Sequence, residues 1–166
     1  LASTTASETA KLMENTYRAV NIAFIDEWTK FAEAAGIDLY EVIDAIRVRP
    51  THSNIRFPGI GVGGYCLTKD PAFTPAAAKQ ILNYQELEFP FSHLALQVNQ
   101  AMPLHAAAKL SKLLGGDVHD KKILLLGISY RQDIGDTRFS PAEKFAQALL
   151  NAGAKVKAFD PFLDEW

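Results

Sequence analysis

Residues 5–35, TASETAKLMENTYRAVNIAFIDEWTKFAEAA, contain neither proline nor glycine, and Gly36 follows directly. A glycine just past a helical run can take the left-handed turn that closes it, so the stretch predicts one long helix. Thr5 followed by Glu8 fits a capping box at its start. Leu12, Tyr17, Val20, Phe24, Trp28 and Phe31 recur at helical spacing, widened by Ile22, Ala23 and Ile25. That pattern predicts that much of the helix is buried. It makes the fold mainly α, with a long-helix domain that buries its apolar surface in a dimer, because so large an exposed patch would otherwise promote aggregation.

Outward from that helix the punctuation is clear. Asp38 followed by Glu41 is a second capping box, opening a shorter helix through Ile46. Residues 47–64 hold two prolines, a Thr-His-Ser-Asn cluster and four glycines, which is loop chemistry. Thr74-Pro75 predicts a helix start with proline in the first turn. Ser92 caps a further long helix running to Gly115-Gly116, and Pro103 inside it predicts a kink. The character then changes. Residues 121–126 (KKILLL) read as a strand, 130–138 (YRQDIGDTR) as a loop, Ser140-Pro141 as a helix start, and 155–159 (KVKAF) as a second strand after Gly153. This is a βαβ unit, and two parallel strands alone make an incomplete sheet. The predicted organisation is a helical domain over 1–117 and a truncated, Rossmann-like α/β unit over 118–166.

Composition sets outer limits. The 166 residues are 48% hydrophobic and 22% charged, as in an ordinary globular chain with one or two small domains. A net charge of −2 gives no electrostatic reason to bind nucleic acid or an anionic membrane. No apolar run reaches membrane-spanning length. The single cysteine forms no internal disulfide, which suits a reducing cytoplasm. Starting at Leu1 and ending soon after one strand, the chain reads as a piece of a longer protein.

The residues with chemistry gather in residues 58–70, PGIGVGGYCLTKD, which hold four of the ten glycines and the lone Cys66. Glycines let backbone N–H groups approach a ligand closely. A free cysteine is most often a small buried hydrophobe. Lys69 beside it favours the thiolate and hence nucleophilic attack. Lys11 and Asn15 share one face of the first helix at i and i+4, either as a solvated stripe with Glu8 and Glu14 or as an ammonium and an amide aimed at a developing oxyanion. Asp70 is either a general base or a cap. Arg131 and Arg138 suit phosphate, or pair with Asp133 and Asp136 to hold their loop. Gly127 stands without a GxGxxG fingerprint, and His52, His93, His105 and His119 lack metal-ligand spacing.

Three motifs in order resemble the UDP-glucose/GDP-mannose dehydrogenase family: residues 8–15 (ETAKLMEN), 61–70 (GVGGYCLTKD), and 127–131 (GISYR) with 135–138 (GDTR). The resemblance implies oxidation of the C6 alcohol of a UDP-sugar to a uronic acid, with two NAD⁺ per turnover and a homodimer through the central helices. It implies that Cys66 forms a thiohemiacetal and then a thioester, that Asp70 serves proton transfer, and that Lys11 and Asn15 steady the C6 oxyanion. Phe57, Gly61, Val62 and Gly63 match the segment lying against the sugar, Tyr130 and Arg131 a nucleotide-sugar contact, and Cys66, Lys69 and Arg138 the approach of NAD. Lys69-Asp70 resembles the glucose and mannose branches, while residues 98–103 (VNQAMP) resemble the N-acetylhexosamine branch; Phe139 and Tyr65 depart from residues common at those positions. The NAD-binding domain and its glutamates are missing from the matched region, so the chain alone is expected to be inactive. A non-catalytic dimerisation module and another NAD(P)-linked hydroxyacid-type dehydrogenase are the alternatives.

Overall fold

The computed structural model describes residues 1–166 as a mostly helical chain with a small parallel sheet. It divides into two compact units, one of Leu1–Gly59 with Cys66–Asn99 and one of Ile60–Tyr65 with Gln100–Trp166.

In the first unit, α1 (Thr4–Ala35) is the long helix that the proline- and glycine-free run predicts. Its cap is Ser3, whose side chain accepts from the Ala6 N–H at 3.1 Å; Thr5 already lies within the helix, so the expected Thr5–Glu8 box does not form. Gly36 closes the helix at φ 69, and the Ile37 N–H reaches back to the Ala32 carbonyl at 2.9 Å. The buried face of α1 differs from the one expected. Asn15, Ala19, Ala23, Asp26 and Ala32 are buried, along with Ile25, while Tyr17, Phe24, Trp28 and Phe31 are roughly half exposed. α3 (Asp70–Gln80) packs on α1, whereas the aromatic rings find no covering element within the chain.

α2 (Leu39–Arg47) starts where predicted, with Asp38 Oδ1 accepting from the Tyr40 N–H at 2.9 Å. A short 3-10 turn over Pro50–His52 follows. α3 begins earlier than Thr74-Pro75. Its first-turn proline is Pro71, and Pro75 sits inside the helix, buried. The turn before it launches the helix: the Lys69 and Asp70 N–H groups both donate to the Cys66 carbonyl, at 3.1 and 2.9 Å. α4 (Pro90–Leu113) starts two residues before the expected cap Ser92 and runs continuously through Pro103. The boundary between the two units falls within it.

In the second unit, β1 (Lys122–Leu126) and β2 (Lys155–Phe159) pair in parallel, from Lys122 against Lys155 to Leu126 against Phe159. The crossover helix α5 (Pro141–Asn151) is capped as predicted, with Ser140 Oγ accepting from the Ala142 N–H at 3.2 Å. Val118, Leu149, Ala154 and Ala107 form the core, with Ile123 and Val156 reaching it from the sheet. Leu124, Leu126 and Phe159 are exposed, so the sheet is covered on one face only. No helix is long and apolar enough to cross a membrane.

Candidate active site

The turn at residues 65–69 carries Cys66 outward, and its thiol is free and exposed. The same turn places Asp70 at the first position of α3, facing α1. There Asn15 Nδ2 donates to Asp70 Oδ2 at 2.7 Å, with Asn15 only 1% and Asp70 only 7% exposed. Lys69 Nζ donates to the other oxygen, Oδ1, at 3.0 Å and lies 4.3 Å from the centroid of the Phe73 ring. A buried carboxyl group with an amide on one oxygen and an ammonium on the other is fixed in direction by its neighbours.

Asn15 and Asp70, 55 positions apart, therefore form one buried pair beside the Cys66 turn. Lys11 stands apart from that pair. Its ammonium is largely exposed and bonds Glu14 at 3.2 Å, the solvated-stripe arrangement. Cys66 and Lys69 share the turn, while Phe57 lies in the preceding loop, its ring stacked with Tyr40.

The second unit holds the other predicted residues. Gly63 and Gly64 are buried against the 130–141 segment, and the Gly64 N–H donates to the Arg138 carbonyl at 3.0 Å. A Cβ on Gly63 would stand 2.6 Å from Tyr130 Cβ and 2.8 Å from the Phe139 carbonyl; one on Gly64, at φ 82, would meet the Tyr130 ring at 2.7 Å. Only glycine permits that approach. Gly61, at φ 103, and Val62 lead into it, partly buried. Phe139 holds a left-handed φ of 53, and its ring lies 5.9 Å from that of Tyr65. Arg138 forks onto Asp136, Nη2 to Oδ2 at 2.6 Å and Nε to Oδ1 at 3.0 Å, and this holds the Asp136 carboxyl below its usual range. Arg131 borders a cavity of about 260 Å³ with Gly127, Ser129, Asp133, Asp160 and Phe162.

Asp160 closes the carboxyl end of the sheet. Its Oδ2 accepts from the Ile128 and Ser129 N–H groups, both at 2.9 Å, and its Oδ1 from the Phe162 N–H at 3.0 Å. Those backbone donations hold its carboxyl far below the usual range. In a dinucleotide-binding turn such N–H groups face a phosphate; here a carboxylate of the chain takes them. The turn after β1 does not fit NAD.

Two buried or half-buried polar residues escaped the sequence reading. Asp26 is 1% exposed on α1, and burial pushes its carboxyl up to about 7, against the pull of Lys30 and of a hydrogen bond from the Gly59 N–H. Its signal was a carboxylate in helical register with Ala19 and Ala23. Arg47 donates from Nε and Nη2 to the Ile55 carbonyl, at 3.1 and 2.8 Å. Nothing in the sequence around Arg47 announces that partner.

A long-helix unit with a glycine-cysteine turn, followed by a βαβ unit, is the arrangement of the central and nucleotide-binding parts of a nucleotide-sugar dehydrogenase. Residues 5–101 match the UDP-glucose/GDP-mannose dehydrogenase family, central domain, and residues 124–166 match the UDP binding domain of the same family. The chain belongs to the UDP-glucose/GDP-mannose dehydrogenase family. It is 38% identical over 156 residues to the UDP-N-acetyl-D-mannosamine dehydrogenase of Methanocaldococcus jannaschii, covering 94% of this chain and 34% of that protein. Among solved structures, the UDP-D-ManNAc dehydrogenase of Pyrococcus horikoshii superposes with a TM-score of 0.81 at 36% identity, over 96% of this chain and 37% of that one. The NDP-N-acetyl-D-galactosaminuronic acid dehydrogenase of Methanosarcina mazei Go1 gives 0.85 at 33% identity, over 99% and 36%. The chain thus spans little more than a third of the length of these relatives.

Proposed function

We propose that this chain is the central and early nucleotide-binding part of an NAD-dependent UDP-sugar 6-dehydrogenase, and that Cys66 is its nucleophile. The observation that carries the reading is the buried Asn15–Asp70 pair at 2.7 Å, built beside a turn that presents a free thiol to solvent. A structural cysteine would be buried. The functional division is a catalytic, dimerising part over 1–117 and a nucleotide part from 118 onward.

NAD, bound by other parts of the longer protein, supplies the hydride acceptor. The residues of this chain handle the carbon and the protons. Cys66 adds to the C6 aldehyde as a thiohemiacetal, and the acyl group it carries after oxidation leaves as the acid when water attacks the thioester. Asp70, held by Asn15 and Lys69, takes part in the proton transfer to and from that water. Asn15, and Lys11 once released from Glu14, donate to the C6 oxyanion. Phe57, Gly61, Val62 and Gly63 line the sugar, Tyr130 and Arg131 meet the nucleotide sugar, and Lys69 and Arg138 present cations toward NAD. Without the rest of the protein this chain does not turn over. The reducing cytoplasm keeps Cys66 a thiol.

Two of the relatives named above carry the same N-acetylmannosamine specificity in their names, which favours a UDP-N-acetylhexosamine over UDP-glucose. The test is the full-length protein with NAD⁺ and each UDP-sugar in turn. Two NADH per uronic acid are expected, and none of the acid from Cys66→Ser. Normal acid production by that variant would remove Cys66 from the mechanism.

A further inference from the structure

Residues 55–59 adopt neither helix nor strand, yet α1 and α2 hold the loop that contains them from several directions. Asn54 Nδ2 donates to Tyr17 Oη at 2.6 Å. The Gly59 N–H lies against Asp26. Between these anchors Arg47 does two things with one guanidinium. Its Nε and Nη2 both donate to the Ile55 carbonyl, at 3.1 and 2.8 Å, and its Cζ stands 4.1 Å from the centroid of the Phe57 ring. The Tyr40 ring stacks with Phe57 at 5.3 Å between centroids and 19° between planes.

A carbonyl needs only one donor to be satisfied. The second donation fixes the plane of the guanidinium, and a planar guanidinium on an aromatic face fixes the ring in turn. Phe57 nevertheless remains 39% exposed. With Arg47 and Tyr40 both lying on its faces, what stays exposed of Phe57 is an immobilised part of the ring at the entry to the glycine loop, a fixed apolar wall rather than a loose side chain.

We propose that Arg47 is a positioning residue for substrate binding: it acts through Phe57, holding the exposed part of that ring as a fixed apolar wall beside the hexose of the nucleotide sugar. Tyr40 supports the same ring. This rests on the dehydrogenase reading above, and it adds a residue that touches no substrate itself. Lysine keeps a cation near the ring but cannot make the paired donation to Ile55, so the fork is the specific requirement.

The experiment is steady-state kinetics on the full-length enzyme at saturating NAD⁺, with the UDP-sugar varied. Arg47→Met is expected to raise KM for the nucleotide sugar about fivefold while kcat stays within about twofold, the loss of one partly exposed cation–π contact and its ordering. Arg47→Lys is expected to fall between, and Tyr40→Phe, which keeps the ring, to match wild type. Phe57→Leu should raise KM similarly, and the double variant Arg47→Met/Phe57→Leu no further than either single change, because both act through one ring. If Arg47→Met fails to fold by circular dichroism, the same cycle is run with Arg47→Lys. Additive effects, or an unchanged KM in every Arg47 variant, overturn the positioning role and leave the dehydrogenase reading standing. A wild-type enzyme that oxidises no nucleotide sugar overturns both.

Discussion

Asn15 on α1 and Asp70 at the start of α3 share a hydrogen bond of 2.7 Å, and each is almost fully buried. The bond joins the two helices and aims the Asp70 carboxylate at the same time. Removing one partner leaves the other buried and unmet, which costs about 1–3 kcal/mol, more where the orphan is charged. Asn15→Ala is therefore expected to lower stability by at least that much in urea unfolding. Asn15→Asp sets two carboxyl groups face to face and is expected to lose more stability at pH 7, relative to wild type, than Asn15→Ala. Unfolding free energies equal to wild type in both variants would show that the pair does not persist in solution.

Asp26 gives a pH dependence of definite sign. Its carboxyl is raised from 3.8 to about 7 by burial, so the folded state holds a proton that the unfolded chain releases. The stability linked to that proton is complete below pH ~4, erodes as pH rises from ~4 to ~7, and is lost above that, with a slope of at most ~1.4 kcal/mol per pH unit. The Lys30 charge pulls in the opposite direction and only softens the effect of burial. Asp26→Asn keeps an oxygen for the Gly59 N–H and cannot ionise. Its unfolding free energy relative to wild type is expected to improve from pH 5 to about pH 7 and to level off by pH 8. A constant difference across that interval would mean that Asp26 is not protonated in the folded protein.

Gly63 and Gly64 are expected to tolerate no side chain. Alanine at Gly63 would drive its methyl group into Tyr130 Cβ, the Phe139 carbonyl and Pro141 Cδ at 2.6, 2.8 and 3.0 Å, and two of those three belong to the backbone or to a proline ring. Overpacking of this kind costs about 1–3 kcal/mol. Thermal unfolding of Gly63→Ala should show that loss, whereas Gly59→Ala, with open space around its Cβ, should stay within about 0.5 kcal/mol of wild type.

Much of the chain's architecture was legible because local chemistry dictates it. A run without proline or glycine ending in Gly36 has few alternatives to a long helix, and Ser140-Pro141 with Gly153 bounds α5 from both sides. The buried face of α1 was not legible. Hydrophobicity pointed to the aromatic residues, but the buried face carries the small Ala19, Ala23 and Ala32, with the Asn99 amide of α4 on the Ala19 carbonyl at 3.2 Å. The start of α3 is ambiguous in the sequence because Pro71 and Pro75 look alike as first-turn prolines, and only the Cys66 carbonyl, which receives the Lys69 and Asp70 N–H groups, distinguishes them. Arg47 and Asp26 were silent for a different reason. What each polar group does depends on a loop carbonyl or N–H brought to it by the fold, and no periodicity encodes such a partner.

The aromatic stripe of α1 leads to the remaining prediction. Trp28 lies between Phe24 and Phe31, with ring centroids 6.0 and 5.6 Å away, and all three rings are roughly half exposed. Contacts among themselves orient the rings without covering them. Trp and other large aromatics in the centre of a protein interface each contribute about 2 kcal/mol or more when desolvated. If two copies meet through this stripe, Trp28→Glu places a charge at the centre of the contact and should weaken the dimer by at least ~30-fold. The protomer itself should survive the change, because the Trp28 ring is not part of its core. Light scattering after size exclusion at micromolar concentration is expected to give a dimer for wild type and a monomer for Trp28→Glu, with the far-UV circular dichroism of the two unchanged. A wild-type monomer, or a Trp28→Glu dimer of undiminished affinity, would move the interface off this face of α1.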